Sequence, residues 1–365
     1  MEYTQERIAT LHDLTGSRPP VDDREFERTA VIVPMTDREY ASLAAERVLT
    51  ELESVAPAAV FVPLRSSPDH VQPFREWLDS FDLPLRPLWC TAPDVEELLV
   101  SAGLTSRLGK GRDVWLTLGP AAAAGEYVVV HDADAASYEA DLVRKLLAPL
   151  TMDYDFSKGY YARVERGQLY GRLCRLFVEP VIRALEDEHD EPIVRYLAAF
   201  RYALAGEFAA TAELARKLRL PASWGLELGT LGDAFVHAGF DGTAQVDLGR
   251  HEHDHRAVAG DTGLEGMSHE VARALFGVLE RHGVSPDYET LPDRYRAVGR
   301  RLIDQYDADA RFNDLAYDQA AECDQVERYA NAIVPPDADD RLPAWNDLEL
   351  PPEDVVTAAT PWRGR

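Results

Sequence analysis

Between residues 29 and 131 short, wholly apolar segments alternate with amphipathic ones, and few folds can satisfy that alternation. Ala30-Val31-Ile32-Val33-Pro34, Ala59-Val60-Phe61-Val62-Pro63-Leu64, residues 85–90 and residues 127–131 have strand length and no polar face. Strands of that kind must be covered on both sides, which is the condition of a parallel sheet. Between them, residues 39–54, 71–80, 93–102 and a segment opened by Gly109-Lys110-Gly111 place apolar side chains at helical intervals. The pattern predicts an α/β fold, a Rossmann-like, mostly parallel sheet with helices on both faces. No Gly-X-Gly-X-X-Gly follows the first strand, so a dinucleotide-binding role has no support.

The second half changes character. Residues 158–164 read as a strand crossing the site. Residues 171–186, 207–218, 268–282 and 293–306 read as helices, and 224–237 mixes glycines with a helical pattern. The end, rich in Pro and Asp, reads as a tail that runs over the surface or is loose. The expected organisation is an N-terminal arm (1–28), an α/β domain (29–265), a helical C-terminal extension (266–334) and an acidic, Pro-rich tail (335–365), with no internal repeat.

Charge narrows the class. The 365 residues carry 64 acidic and 38 basic side chains, a net charge of −26, and the only lysines are Lys110, Lys145, Lys158 and Lys217. With 46% hydrophobic residues the chain has ample material for a core, so a disordered acidic polymer is excluded. An acidic, lysine-poor, globular chain has the composition of a cytoplasmic protein from a salt-in halophile. At molar salt the Debye length falls to about 3 Å, and a dense carboxylate surface repels itself little. Such charge argues against nucleic acid or an anionic membrane as partner. Cys90, Cys174 and Cys323 are far apart and odd in number, which suits a reducing cytosol and offers no disulfide framework. The first residues lack a basic and then apolar leader pattern, and no apolar run reaches the 18 residues of a membrane span.

The last strand of the alternating region ends in chemistry. Tyr127-Val128-Val129-Val130 runs into His131-Asp132-Ala133-Asp134. In an extended chain the i and i+2 carboxylates share a side. At the C-terminal edge of a parallel sheet, such a pair can hold a divalent cation against an anionic diphosphate.

Its companions are Gly109-Lys110-Gly111, Gly171-Arg172, Ala205-Gly206-Glu207, Trp224-Gly225-Leu226-Glu227 and His251-Glu252-His253. In this order and at these separations the chain resembles retaining GT-A glycosyltransferases of the glucosyl-3-phosphoglycerate synthase family. The resemblance runs over residues 29–282 and is best over 109–256. Residues 206–211 and 244–249 look like the family's own. It implies transfer of a hexose, glucose first, from a nucleotide sugar to 3-phosphoglycerate or a similar small anionic acceptor, with Mg²⁺ or Mn²⁺, on the way to a compatible solute. It also implies that Asp132, Asp134 and His253 hold the metal. On the same resemblance Glu227 would stand beside the donor sugar and, with Asp134, is the catalytic candidate. Lys110, Lys158, Arg172 and Arg256 supply positive charge that a −26 protein otherwise lacks. Pro34, Asp37, Ser66, Ala133, Gly171, Cys174, Trp224, Gly225 and His255 complete the expected substrate-binding set. Family members are often dimers, so a homodimer is an expectation.

The chain also departs from the family. The family's Pro-Ala-Leu-Asn-Glu after the first strand is here Pro34-Met35-Thr36-Asp37-Arg38-Glu39, and its Asp-Ser-Gly-Ser turn is Pro63-Leu64-Arg65-Ser66-Ser67. Cys174 stands where the family has a threonine, and a thiol is a poorer hydrogen-bond donor than a hydroxyl. Two alternatives remain open: the same fold serving a glycan or lipid acceptor, or a non-catalytic protein that binds sugar nucleotide.

Overall fold

A computed structural model describes residues 6–12, 18–105, 107–252, 261–337 and 339–362, with 261–265 described by backbone alone. Ten strands form one layer: β1 (Ala9–Leu11), β2 (Thr29–Ile32), β3 (Met35–Thr36), β4 (Ala59–Arg65), β5 (Leu85–Trp89), β6 (Tyr127–Val130), β7 (Phe156–Glu165), β8 (Gln168–Leu169), β9 (Phe208–Thr211) and β10 (Thr243–His251). Their order is β1-β10-β7-β9-β6-β2-β4-β3, with β5 on β4 and β8 on β7. The β2, β4, β6 and β10 pairings are parallel, as the alternation predicts, except where β9 intervenes. β9 runs antiparallel to both β6 and β7.

Side chains alternate across this layer, as a period-2 strand requires. Val128 and Val130 face one apolar layer with Trp115, Leu226 and Leu228, while Val129 faces the other with Leu49, Leu142 and Leu146. The helix Leu43–Val55 is started by Ser42, whose hydroxyl accepts from the Ala45 N–H at 3.2 Å, and ends at Ala56 in the left-handed region (φ 51°). The helix Lys110–Ala124 is buried almost all round. No described helix is long and apolar enough to cross a membrane.

One expectation fails and two are refined. Residues 207–218 are not one helix: Phe208–Thr211 is β9, and only Ala212–Ala215 is helical. Alanine favours helix locally, but pairing with β6 and β7 on both edges outweighs that preference. The helix predicted over 171–186 is present from 172 to 186, with a π-helical turn, Cys174–Val178, ahead of the α-helical stretch Glu179–Glu186. The end of the chain is not loose. Trp345, 5% exposed, stacks on Trp115 with ring centroids 5.3 Å apart, and each indole N–H donates to a backbone carbonyl of the other segment. Leu342, Leu350, Val355 and Ala359 are buried with it.

Candidate active site

The topology sets a group of ionisable side chains at the carboxyl end of β6. Because β9 runs backwards, its first residue Phe208 lies opposite Val130 of β6 and Lys158 of β7. Gly206 and Glu207, which lead into β9, are thereby set beside His131 and Asp132, which leave β6. The fit is close: a Cβ on Gly206 would stand 2.5 Å from Oδ2 of Asp132.

Lys110 reaches Asp132 from the opposite side. Its ammonium donates to Asp132 Oδ1 and lies 3.6 Å from Glu227 Oε1. Burial alone would lower the Lys110 pKa, but Asp132 and Glu227 raise it above its ordinary value. The glycines flanking Lys110 have a steric role. A Cβ on Gly109 would meet the Ala222 carbonyl at 2.5 Å, and the Arg112 N–H donates to that carbonyl at 2.8 Å. The turn therefore packs its backbone against the segment that leads to Trp224, Gly225 and Glu227. Gly225 has φ 103°, a conformation suited to glycine, and Glu227 sits in the first turn of the helix Leu226–His237.

Asp134 completes the carboxylate pair. Burial and the neighbouring Asp132 charge push its carboxyl up to about 7. The carboxylates Asp132, Asp134 and Glu227 outnumber the ammonium groups of Lys110 and Lys158 here, so a divalent cation would relieve the repulsion, and carboxylate oxygens suit Mg²⁺ or Mn²⁺. Among the described residues no three His, Cys, Asp or Glu converge as a ready ligand set. His253, His255 and Arg256 lie outside the described residues.

Behind the pair is a buried polar cluster; of its members the motifs single out Lys158 as a site residue and include Glu207 and His251 without giving them a role. Glu207, 1% exposed, has no hydrogen-bond partner on either oxygen among the described residues, and its carboxyl is pushed up to about 7 by burial and by Asp132. His251 Nε2 lies 3.7 Å from Glu207 Oε1, and the His251 ring stacks on Tyr161 at 4.3 Å between centroids. Burial holds His131 down to about 3 and His251 to about 4, so both imidazoles are neutral near pH 7. Lys158, 1% exposed, donates to the Ala205 carbonyl; burial depresses it to about 8. A lone glutamate after glycine in the otherwise apolar run 203–210 was the available signal for Glu207.

The ends of β3 and β4 meet on the other flank. Ser66 donates its hydroxyl to Asp37, Ser67 N–H reaches the same carboxylate at 3.4 Å, and His70 lies 3.3 Å away. Against the opposing effect of burial, these contacts hold Asp37 below the usual carboxylate value. Glu39 accepts from the Thr36 N–H and hydroxyl at 2.6 and 2.7 Å. Pro34 links β2 to β3, and Ala133 is buried between the two aspartates.

The expected acceptor segment is tied to the C-terminal helices. Gly171 takes φ 77°, and a Cβ there would strike the Tyr202 hydroxyl. Arg172, about half exposed, lies 3.3 Å from Glu322, which also receives two donors from the buried Arg175 at 2.8 and 2.9 Å. Cys174 is buried, and burial pushes its thiol up to about 12. Trp224 is 50% exposed, with its N–H on Glu270 at 3.0 Å. Lys110, Asp132, Asp134, Glu227 and Lys158 thus gather at one end of the sheet, whereas Asp37 with Ser66 and Arg172 with Cys174 stand in separate contact networks.

No family model matches the chain. It is 32% identical to the glucosyl-3-phosphoglycerate synthase of Methanococcoides burtonii, across 98% of this chain and 92% of that protein. A glucosyl-3-phosphoglycerate synthase from Mycobacterium tuberculosis, solved with Mn²⁺, UDP-glucose and phosphoglyceric acid, superposes with a TM-score of 0.56 at 25% identity, covering 77% of this chain and 89% of that one. The same enzyme with Mg²⁺ and UDP matches at 0.56 and 26%, covering 77% and 88%. The mixed, mostly parallel sheet is that of GT-A transferases. With a relative 32% identical over nearly the full length of both proteins, this chain belongs to the glucosyl-3-phosphoglycerate synthase family.

Proposed function

We propose that this chain is a retaining glucosyltransferase that moves glucose from UDP-glucose to 3-phosphoglycerate, with Mg²⁺ or Mn²⁺ bound. The observation that carries the proposal is the meeting of Lys110, Asp132 and Glu227 at the carboxyl end of β6, in a chain whose full-length relative has that activity by name. Asp134, Asp132 and His253 would hold the cation, which supplies Lewis-acid stabilisation of charge on the departing diphosphate. Lys110, in the first turn of its helix, would offer an ammonium to a donor phosphate at the positive end of the helix dipole. Glu227, beside Lys110, would accept hydrogen bonds from sugar hydroxyls. Arg172 and Arg256 suit forked contact with the acceptor's phosphate and carboxylate. Asp37 and Ser66 form the floor we assign to the nucleotide base. Catalysis in this arrangement is positioning plus fixed charge rather than attack by a protein nucleophile.

The acidic, lysine-poor surface supports the finer reading of a cytoplasmic enzyme working at high salt, whose product leads to a compatible solute. A homodimer is part of the same proposal. The test is a panel of nucleotide sugars offered with Mn²⁺ and 3-phosphoglycerate, with products read by mass spectrometry. A glucosylated phosphoglycerate formed from UDP-glucose is the expected result. A hexose delivered only from another donor, or onto another acceptor, would overturn it.

A further inference from the structure

The strand order poses a problem for the site. β6 delivers Asp132 and Asp134, and β10 ends one residue before Glu252, which is followed by His253. These two strands are not neighbours: β9 and β7 lie between them. Ladder hydrogen bonds therefore link the two chain ends only through two intervening strands, and the β10 register shifts between Asp247 and Arg250. The structure shows a separate link. The Ala136 N–H donates to the Glu252 carbonyl at 2.8 Å, the Glu252 N–H donates to the Ser137 hydroxyl at 2.9 Å, and that hydroxyl donates to the Arg250 carbonyl at 3.4 Å. Below it, Glu207 faces His251 at 3.7 Å.

We propose that Ser137 is a positioning residue that clamps the Asp132–Asp134 loop to the end of β10 and so holds those two carboxylates in place as metal ligands. Its hydroxyl accepts and donates at once, to two backbone groups flanking His251, which a methyl group cannot do. Ser137 is partly exposed and has no place in either apolar layer, so removing its hydroxyl leaves the packing of the core unchanged. Groups that hold ligands in place, without touching the ion, tune affinity strongly. The inference rests on the assignment of Asp132 and Asp134 as metal ligands under Proposed function.

The test is the affinity of the full chain for Mn²⁺ with UDP present, measured as free Mn²⁺ by electron paramagnetic resonance. Ser137→Ala is expected to weaken binding about tenfold and Ser137→Thr to restore it to within about twofold, with Asp134→Ala losing it altogether. At saturating Mn²⁺ the alanine variant should keep its kcat while its apparent KM for Mn²⁺ rises, a split that a general loss of structure would not produce. Wild-type affinity in Ser137→Ala, beside a dead Asp134→Ala, overturns the clamp and leaves the metal reading intact. Wild-type affinity in Asp134→Ala overturns both. If thermal melting shows Ser137→Ala to be unfolded, Ser137→Cys decides: weakened Mn²⁺ binding supports the clamp, and unchanged binding overturns it.

Discussion

The carboxylate of Asp132 occupies space that a glycine at 206 leaves open: a Cβ on Gly206 would stand 2.5 Å from Oδ2 and 2.8 Å from Cγ. Two segments 74 positions apart in sequence (206 less 132) thus have matched shapes, and the match exists because β9 runs antiparallel beside β6. Gly206→Ala should push the Asp132 side chain off its place, at a stability cost of about 1–3 kcal/mol. Mn²⁺ affinity should fall about 10- to 100-fold in a protein that still folds. Wild-type Mn²⁺ affinity in that variant would show that the position of Asp132 does not matter.

Lys110 holds two carboxylates at once, Asp132 and, at 3.6 Å, Glu227. Lys110→Met keeps the aliphatic stem and deletes the charge. The expected result is a fall in kcat/KM for the nucleotide sugar of about 10²- to 10³-fold, the scale of removing one preorganised charge from a transition state. Steady-state kinetics check it, and an unchanged kcat/KM would remove Lys110 from the site.

Burial controls the cysteines. Cys174 is pushed up to about 12 and Cys90 is also raised by burial, while Cys323 is partly exposed. A raised thiol pKa means that the thiolate is scarce below it, so at pH 8, about four pH units under that of Cys174, the buried pair should not react. A disulfide reagent at pH 8 should label the native protein once, at Cys323, and the unfolded protein three times. Rapid native labelling of Cys174 would show that this segment opens to solvent.

The Trp115–Trp345 stack binds the end of the chain to the helix Lys110–Ala124, which also carries Lys110. Trp345→Ala should cost about 3–5 kcal/mol, as other large-to-small changes at buried aromatic positions do. Urea unfolding measures it, and a loss below about 1 kcal/mol would mean that the C-terminal segment packs only loosely.

The alternation of apolar strands and amphipathic helices was legible because each strand must be buried on both faces, and β2, β4, β5 and β6 lie where that pattern puts them. β9 was not legible, since Phe208-Ala209-Ala210-Thr211 carries no strand pattern of its own and extends only because β6 and β7 hold both its edges. Trp345 was hidden in a segment whose prolines and aspartates suggest solvent, although its indole fills the space above Gly119. Asp132, Asp134 and Lys110 could be named from motif and rarity. Their adjacency to Glu207 and Glu227 could not, because it depends on the direction of a strand rather than on spacing along the chain. Ser137 was invisible for the same reason.

The central claim is glucosyl transfer to 3-phosphoglycerate, and release of UDP from UDP-glucose in molar KCl with Mn²⁺ tests it most directly. The account predicts rapid release only when 3-phosphoglycerate is present, and none in Asp134→Ala. Release at the same rate without 3-phosphoglycerate, or none with it, would contradict the account.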